Sequence, residues 1–497
     1  MIYDYKWTQI KPSNPNSWVE FLPRSEIKRI NAWEHNKNLL RGWHGDVFKD
    51  IQSIQGRLEI ANVLDISDNL YENACNLYIA ANYCGLLSRT CASLLFGEPI
   101  RVTPINGNRA LQENINRIVQ ENELQRLNLM QARTSSAQGY TFYRVRWGKK
   151  SSWKEDAAVI EAIPGYNVFP HVSSDNIKDV TGYTIAFIVE YNGQKYLRRE
   201  IHTIGLVENK LNIMDGEIIG QEVEFSIIPE YADLLPQWQN DYPGLFVQHV
   251  PNLENIDEFW GASDYEDIES LQDALNNRIS SIDEILDKHC NPILVLPTGI
   301  MRYDPNTDRY YALQKDKEAI EVNDAELGAK LPRYVTWDAQ LNAAFGEIDK
   351  LVDLMMLTSQ LSPTLFGLSN GNVSDSAKAL KIRMVQTLAK INDKQMAYDS
   401  AIKNVMYAAL WLENMNSKKV PKPEDVRIEW QDGLPDDELE ITQIHAARVA
   451  GGFESKRNAI KVVQKLEGDD LIEEEMRVRE ENGEIIDNSF DMPKELD

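Results

Sequence analysis

Long unbroken apolar runs are missing from this 497-residue chain. The most membrane-like stretch, Ile79 to Phe96, contains Arg89 and several polar residues. It is too short and mixed to cross a bilayer, which takes about 20 mostly apolar residues, and it reads as a buried helix. The segment Met1 to Lys11 has no basic region followed by an apolar one, so no signal peptide is expected. Cysteine is scarce: Cys75, Cys84, Cys91 and Cys290 form no C-x-x-C pair and no disulfide framework. They fit a reducing compartment and read as small buried hydrophobes. Basic charge is short as well, with 52 Lys and Arg against 77 Asp and Glu, a net charge of -25. A conventional duplex-binding module would carry a basic footprint, and none is visible.

Familiar catalytic signatures are also lacking. No phosphate-binding G-x-x-x-x-G-K-[ST], no G-x-G-x-x-G after a strand, no H-E-x-x-H and no G-x-S-x-G elbow occurs. The seven histidines, at 35, 44, 171, 202, 249, 289 and 445, are scattered, with no two at i,i+3 or i,i+4. Asp65, Asp68, Asp264, Asp267 and Glu269 are conceivable metal carboxylates, but the last three are explained by the start of a helix, where acids are favoured. No metal and no cofactor is expected. Many Trp and Tyr residues beside many acids leave one enzymatic alternative open, a polysaccharide hydrolase with two carboxylates flanking the scissile bond, although no pair stands out.

Helical periodicity, by contrast, is strong. Ile268, Leu271, Leu275, Ile279, Ile282 and Leu286 form one apolar stripe between Asp264 and His289. Ser263 or Asp264 would be its N-cap. A second stripe, Leu341, Phe345, Ile348, Val352 and Met355, runs between Asp338 and Gln360. The intervening segment reads as short strands and turns, including Asn291 to Gly299, Arg309 to Leu313 and Ala319 to Val322. A loop without Lys or Arg follows, from Leu361 to Ser376, and then a helical pattern to about Leu412, roughly 55 Å long if unbroken. Earlier, helices are expected over Leu70 to Leu95, ended by Gly97 and Pro99, and over Leu111 to Ala137. A strand over Gly139 to Gly148 and an antiparallel β region from Ala157 to about Ile228 come next, with hairpin turns at Asn192-Gly193 and Asp215-Gly216. A last helical region spans Asp436 to Asn482, interrupted by Gly451-Gly452. The chain is long enough for two to four structural units. From Trp430 to Asp497 there are 19 acids and 8 bases, a charge of -11. Such a run is either a solvated face or a wall that DNA slides past, since few phosphate contacts mean weak holding.

Five segments, taken in order, resemble phage portal proteins of long-tailed phages. They are Ala92 to Ile100, Leu245 to Asn252 with Gly261 to Ser281, Asn291 to Pro297, Ser362 to Arg383, and Trp430 to Glu440 with Gly451 to Ser455. The resemblance covers about Leu70 to Asn482. It implies an α+β, elongated portal-type subunit: wing (1–260), first stem helix (261–289), small α/β clip (290–337), second stem helix (338–360), tunnel loop (361–376), long wing helix (377–418) and helical crown (419–497). It further implies a non-enzymatic homo-oligomeric ring, a dodecamer in the family, at one capsid vertex of the virion, assembled in the host cytoplasm. Its partners would be the terminase large subunit, the head-to-tail adaptor, the major capsid and scaffolding proteins, and double-stranded DNA passing without sequence specificity; no membrane is involved. Arg309, Tyr310 and Tyr311 of the clip would meet the motor and the adaptor. Ser369, Asn370, Gly371, Asn372 and Ser374 would line the channel, offering neutral groups able to touch phosphate oxygens and let go. On its own that segment equally describes a solvent-exposed loop. Any charged contact to DNA would come from Lys378, Lys381 or Arg383, which also fit as solvated helix residues.

Overall fold

The computed structural model describes residues 19–20, 24–48, 78–105, 107–216, 218–290, 293–295, 301–305, 309–312, 333–335, 341–366, 381–415, 426–430, 438–464, 466 and 468–481. In chain order the elements are β1 (Val19–Glu20), α1 (Arg24–Arg41), α2 (His44–Val47), α3 (Tyr83–Phe96), β2 (Arg101–Pro104), α4 (Arg109–Glu121) and α5 (Leu124–Gln138). The strands β3 (Tyr140–Gly148), β4 (Ala157–Ile163), β5 (Val168–Val172), β6 (Val180–Tyr191), β7 (Gln194–Thr203), β8 (Leu206–Asp215), β9 (Ile218–Glu222), β10 (Gln237–Gln239) and β11 (Val247–Pro251) follow. After them come α6 (Glu269–Cys290), β12 (Ile293–Val295), β13 (Met301–Asp304), β14 (Arg309–Ala312), β15 (Arg333–Val335), α7 (Leu341–Thr358) and α8 (Val385–Glu413). The chain closes with β16 (Val426–Glu429), α9 (Glu438–Ala450), α10 (Lys456–Val463) and α11 (Gly468–Glu481). Mixed helix and antiparallel sheet place it in the α+β class.

Two compact units result, one of Met1–Ser369 with Met384–Gly433, the other of Asn370–Arg383 with Leu434–Asp497. In the first unit a seven-stranded sheet runs β1-β9-β8-β7-β6-β5, with β10 added to β8, and a three-stranded sheet runs β11-β3-β4. All these pairings are antiparallel. The β6–β7 hairpin turns on Asn192 and Gly193, at φ of 52° and 75°, the left-handed pair that a two-residue turn needs. Between the sheets lies an aromatic core of Trp33, Tyr140, Phe142, Tyr183, Phe259 and Trp260. Tyr140 and Trp260 meet at 4.5 Å between ring centroids, and the Arg29 guanidinium sits 4.4 Å over Trp260. That cation is held by Glu26 at 2.7 Å and donates to the Gly165 carbonyl at 2.7 Å. α5 packs on α3 and β3, and α8 covers β11, β3 and β4.

Several boundaries differ from the sequence reading. The helix expected from Leu70 begins at Tyr83, capped by the Asn82 side chain, which accepts from the Gly85 N–H at 2.7 Å. Residues 78–82 are not helical, and 70–77 lie outside the described residues. The single helix expected over Leu111 to Ala137 is two, α4 and α5, separated by Glu123 in the left-handed region at φ 49°. Asn122 explains the break. Its amide donates to the carbonyls of Ile118 and Ala158 and accepts from the Ile160 N–H, tying the helix end to β4. The long helix is interrupted at Met384 and then continuous for 29 residues, about 44 Å. The final helical region comprises three helices, the first ending at Gly451-Gly452. The expected strand over Ala319 to Val322 lies outside the described residues.

The second unit contains α9, α10 and α11. Gly452, at φ 72°, ends α9: its N–H donates to the Val449 carbonyl and the Phe453 N–H to the Arg448 carbonyl. This is the two-bond stop in which glycine takes the left-handed position. Ser455 then caps α10 by accepting from the Asn458 N–H.

Candidate ring-forming and channel-lining elements

α6 carries two different faces. On one, Ile268 before the helix, Leu275 and Ile282 are buried. On the other, Gln272, Asn276 and Ser280, at successive i,i+4 positions, are buried polar residues. They grip the extended segment 78–84 by its backbone. Gln272 accepts from the N–H groups of Tyr83 and Cys84 and donates to the Ala81 carbonyl, while Asn276 and Ser280 accept from Ala81 and Ile79. Asn276 also donates to Nδ1 of His44, whose Nε2 bonds the Leu39 carbonyl. Burial lowers the pKa of this imidazole, so the neutral ring, accepting at Nδ1, fits the arrangement.

α7 packs against α6, and Arg278 reaches Glu347 at 2.6 Å. Met355 and Met356 are buried, yet Phe345, Leu354 and Leu357 are 49%, 38% and 67% exposed. On a 3.6-residue turn Leu354 and Leu357 lie opposite the Phe345–Met356 face, so the last turn of α7, Leu354 to Leu357, is apolar all round, with Lys350 and Asp353 just before it. A helix of that kind is normally buried on every side. Leu286 of α6 is also exposed.

Where α6, α7 and α8 come together, a fully buried carboxylate meets two lysines. Asp264 lies 3.0 Å from Lys390 and 2.7 Å from Lys394, and accepts from the Ser136 hydroxyl at 2.5 Å. Lys394 also donates to Asn252 Oδ1, and Lys390 donates to the Ser359 carbonyl at 3.0 Å, just past the end of α7, where a cation is favoured. Burial alone raises the Asp264 pKa; the ammonium groups of Lys394 and Lys390 outweigh it and hold the carboxyl well below the ordinary range. Asp264 is therefore not the exposed helix cap that the sequence suggests, because α6 starts only at Glu269. A glycine pair sets the approach: a Cβ on Gly139 would stand 2.2 Å from the Gly261 carbonyl oxygen, and one on Gly261 would stand 2.4 Å from that of Gly139. Next to this node the chain leaves α7 through Gln360, at φ 60°. Thr387 accepts from the Ser362 N–H and donates to the Gln360 carbonyl. Ser359 to Ser362 are thus pinned to the first turn of α8.

Ser369, Asn370, Gly371, Asn372, Ser374 and Lys378 lie outside the described residues. Lys381 and Arg383 share one exposed helical turn. Arg309, Tyr310 and Tyr311 are consecutive on β14, paired with Asp304, Tyr303 and Arg302 of β13. Lys381 and Arg383 belong to the second unit and the β14 residues to the first. The Asp264 node was missed, although a signal existed: Lys390 and Lys394 fall in helical phase with Tyr398, Ala401 and Val405, on the buried face of α8. Among the described residues no cluster of His, Cys, Asp and Glu able to hold a metal occurs, and no helix is long and apolar enough to cross a membrane.

The chain belongs to the family of phage portal proteins described as SPP1 Gp6-like, whose profile matches residues 33–487. A portal protein is a structural component, so the chain is not an enzyme, and the hydrolase alternative falls with that. No curated protein matches it. Similar solved structures include a chain of the neck of an empty GTA particle computed with C6 symmetry, 11% identical, covering 90% of this chain and 95% of that one, TM-score 0.42. Others are a chain of the neck of the native GTA particle with C12 symmetry (11%, 76% and 89%, TM-score 0.39) and one of the virion of the native gene transfer agent particle (10%, 91% and 96%, TM-score 0.39).

Proposed function

We propose that the chain assembles as a closed ring, a dodecamer as in the family, at one vertex of a virion capsid, and serves as the conduit for DNA during packaging and ejection. The observation that carries this is the second face of α7, uncovered on a single chain at Leu354 and Leu357, with Phe345 also exposed near the start of the helix. Neighbouring copies of the α6–α7 pair cover it in the ring, so this pair is the stem. The sheets, α1–α5 and α8 form the wing, and the strands β12–β15 form the clip, where Arg309, Tyr310 and Tyr311 meet the terminase and later the head-to-tail adaptor. The helices after residue 419 form the crown, facing capsid and scaffolding proteins.

In this reading residues 361–376 are the tunnel loop. Its support is the pinning of Ser359–Ser362 to Thr387 and Lys390, which fixes one foot of the loop. Neutral Ser and Asn groups touch phosphates without retaining them, and Lys378, Lys381 and Arg383 supply a limited cationic contact. Particle mass in solution tests the ring; a chain that stays monomeric under all assembly conditions rejects it. Replacing Asn370-Gly371-Asn372 by a bulky rigid segment leaves rings intact and blocks DNA filling, and unchanged filling rejects the loop assignment. Substituting Arg309, Tyr310 and Tyr311 by Ala abolishes terminase capture by the ring, and wild-type capture rejects that docking site.

A further inference from the structure

We infer that a cavity at the end of the aromatic core binds an aromatic amino acid, with its ring against Tyr183 and His249 and its two charged groups at the rim. The site lies within the first unit and does not depend on the ring reading. At about 570 Å³ the cavity falls in the range of small-molecule sites. Tyr183, His249 and Phe259 give it an aromatic floor, and the His249 and Phe259 rings stack with centroids 4.5 Å apart and planes 20° apart. Its walls are the connection between β5 and β6 and the segment that follows β11. Two polar groups of the floor are unspent. Tyr183 is 4% exposed, and its hydroxyl has no partner among the described residues. His249 Nε2 is buried and likewise without a partner among them. Burial, and after it the nearby Lys178 ammonium, lower the pKa of this imidazole to about 3, so the ring is neutral, one nitrogen a donor and the other an acceptor. A wholly apolar occupant would leave both groups unsatisfied, which is costly. The floor therefore suits a flat ring that brings its own hydrogen-bonding atom, as a phenol or an indole does.

Most of the remaining polar lining is already committed within the chain. Gln248 donates to the Leu245 carbonyl at 2.6 Å and accepts from the Asn404 amide at 3.2 Å. The Asn176 and Asn255 side chains accept from the N–H groups of Lys178 and Ile256, each at 2.9 Å, and so shape the two walls. Further backbone bonds, from Ser173 to Asp179 and from Ala262 to Leu253, both 2.8 Å, close those walls on themselves. The site is thus formed before any ligand arrives, which lowers the cost of binding. Two charges remain. Lys178 on one wall and Glu254 on the other are exposed, and among the described residues neither has an ion-pair partner. One cation and one anion lining the same small cavity do not favour a ligand of a single charge. They match a zwitterion, its carboxylate toward Lys178 and its ammonium toward Glu254. Tyrosine is the simplest molecule that joins such a head to a ring with a hydroxyl.

The test is calorimetric titration of the full-length protein with tyrosine, phenylalanine, tyramine (no carboxylate) and phloretic acid (no ammonium). Tyrosine should bind saturably at one site per chain, and phenylalanine about tenfold more weakly, the worth of one hydrogen bond. Tyramine and phloretic acid should each bind about threefold more weakly than tyrosine, as for loss of one solvent-exposed ion pair. Tyr183→Phe or His249→Phe should shrink the preference for tyrosine over phenylalanine. Glu254→Gln should weaken tyramine and spare phloretic acid, and Lys178→Gln should do the reverse. Both of these charge changes fall at exposed positions, where folding tolerates them. Absence of saturable binding means that the cavity holds water only and overturns the proposal. Equal affinity for tyrosine and phenylalanine, a preference untouched in both ring variants, or charge variants that act alike on the two analogues also overturns it.

Discussion

The body around β3, β4 and α8 and the helix pair α6–α7 treat apolar surface in opposite ways. In the body, rings stack on rings, and even buried charge is matched: two lysines surround Asp264, and Glu200, beside His202, also pairs with Arg144. In the pair, α6 spends one face on the segment 78–84 and another on α7, while α7 leaves Leu354 and Leu357 in solvent. The contrast teaches that the two regions are stabilised at different levels. The body is complete within one chain; in the proposed ring the helix pair is completed by its neighbours.

The sharpest way to break that comparison is at the charged node. Asp264→Ala leaves Lys390 and Lys394 buried without a carboxylate, and removing one partner of a buried ion pair costs about 3–5 kcal/mol. Denaturant unfolding of the single chain should show this loss in full. The acid limb gives the same information without mutation. Because the folded pKa of Asp264 lies below its ordinary 3.8, its contribution is present above that pH and is lost as pH falls through the folded value. Gly261→Ala should be nearly as damaging, since the added methyl meets the Gly139 carbonyl oxygen; a variant with wild-type unfolding would show that the two backbones separate freely.

The next largest effect belongs to the other region and should have the opposite signature. Leu354→Asp with Leu357→Asp changes exposed positions, so single-chain stability should move by no more than about 0.5 kcal/mol each. The mass of the assembled particle should nevertheless collapse to that of single chains. Loss of monomer stability with rings preserved would place those leucines in the core of one chain and remove the distinction between the regions.

How far the sequence carries this comparison depends on which residues encode it. The apolar stripes of α6 and α7 were legible because periodicity survives whatever the helix packs against. The hairpin at Asn192-Gly193 was legible because its turn chemistry is local. The break at Asn122-Glu123 was not: no Gly or Pro marks it, and the amide of Asn122 gains its partners from β4, which is 36 residues away at Ala158. The start of α3 was hidden for the same reason, because the extended segment before it is held by Gln272, Asn276 and Ser280 of a distant helix. Asp264 read as a helix cap since its two lysines lie more than 120 residues downstream. Long-range polar pairing leaves no periodic trace. The five ordered segments nonetheless led to the family, while the loop residues chosen from them remain proposals.

A weaker effect tests the body alone. Burial lowers the pKa of His249 to about 3 and that of His171 to about 4, against an ordinary 6.5. Both rings stay neutral in the folded chain while the unfolded chain takes up protons, so their contributions hold above pH 6.5 and decline as pH falls toward those values. Stability measured at a series of pH values should therefore slope downward between about pH 6.5 and 4, and His249→Gln should flatten the slope. An unchanged slope would mean that this imidazole is solvated and the body less closed than its packing implies.

The smallest effect discriminates the two regions most finely. Arg278 and Glu347 form a half-exposed bridge between α6 and α7, with side chains 39% and 48% exposed. In a single chain such a pair couples by about 0.2–1 kcal/mol, and salt screens it. If neighbouring copies cover the helix pair, water leaves and the same two charges interact in a lower dielectric. A double-mutant cycle with Arg278→Ala and Glu347→Ala, run on monomer unfolding and again on ring dissociation, should give the larger coupling in the ring and a weaker dependence on salt there. Equal couplings in both would place this bridge at a solvent-facing edge and confine the covered surface to the Leu354–Leu357 side of α7.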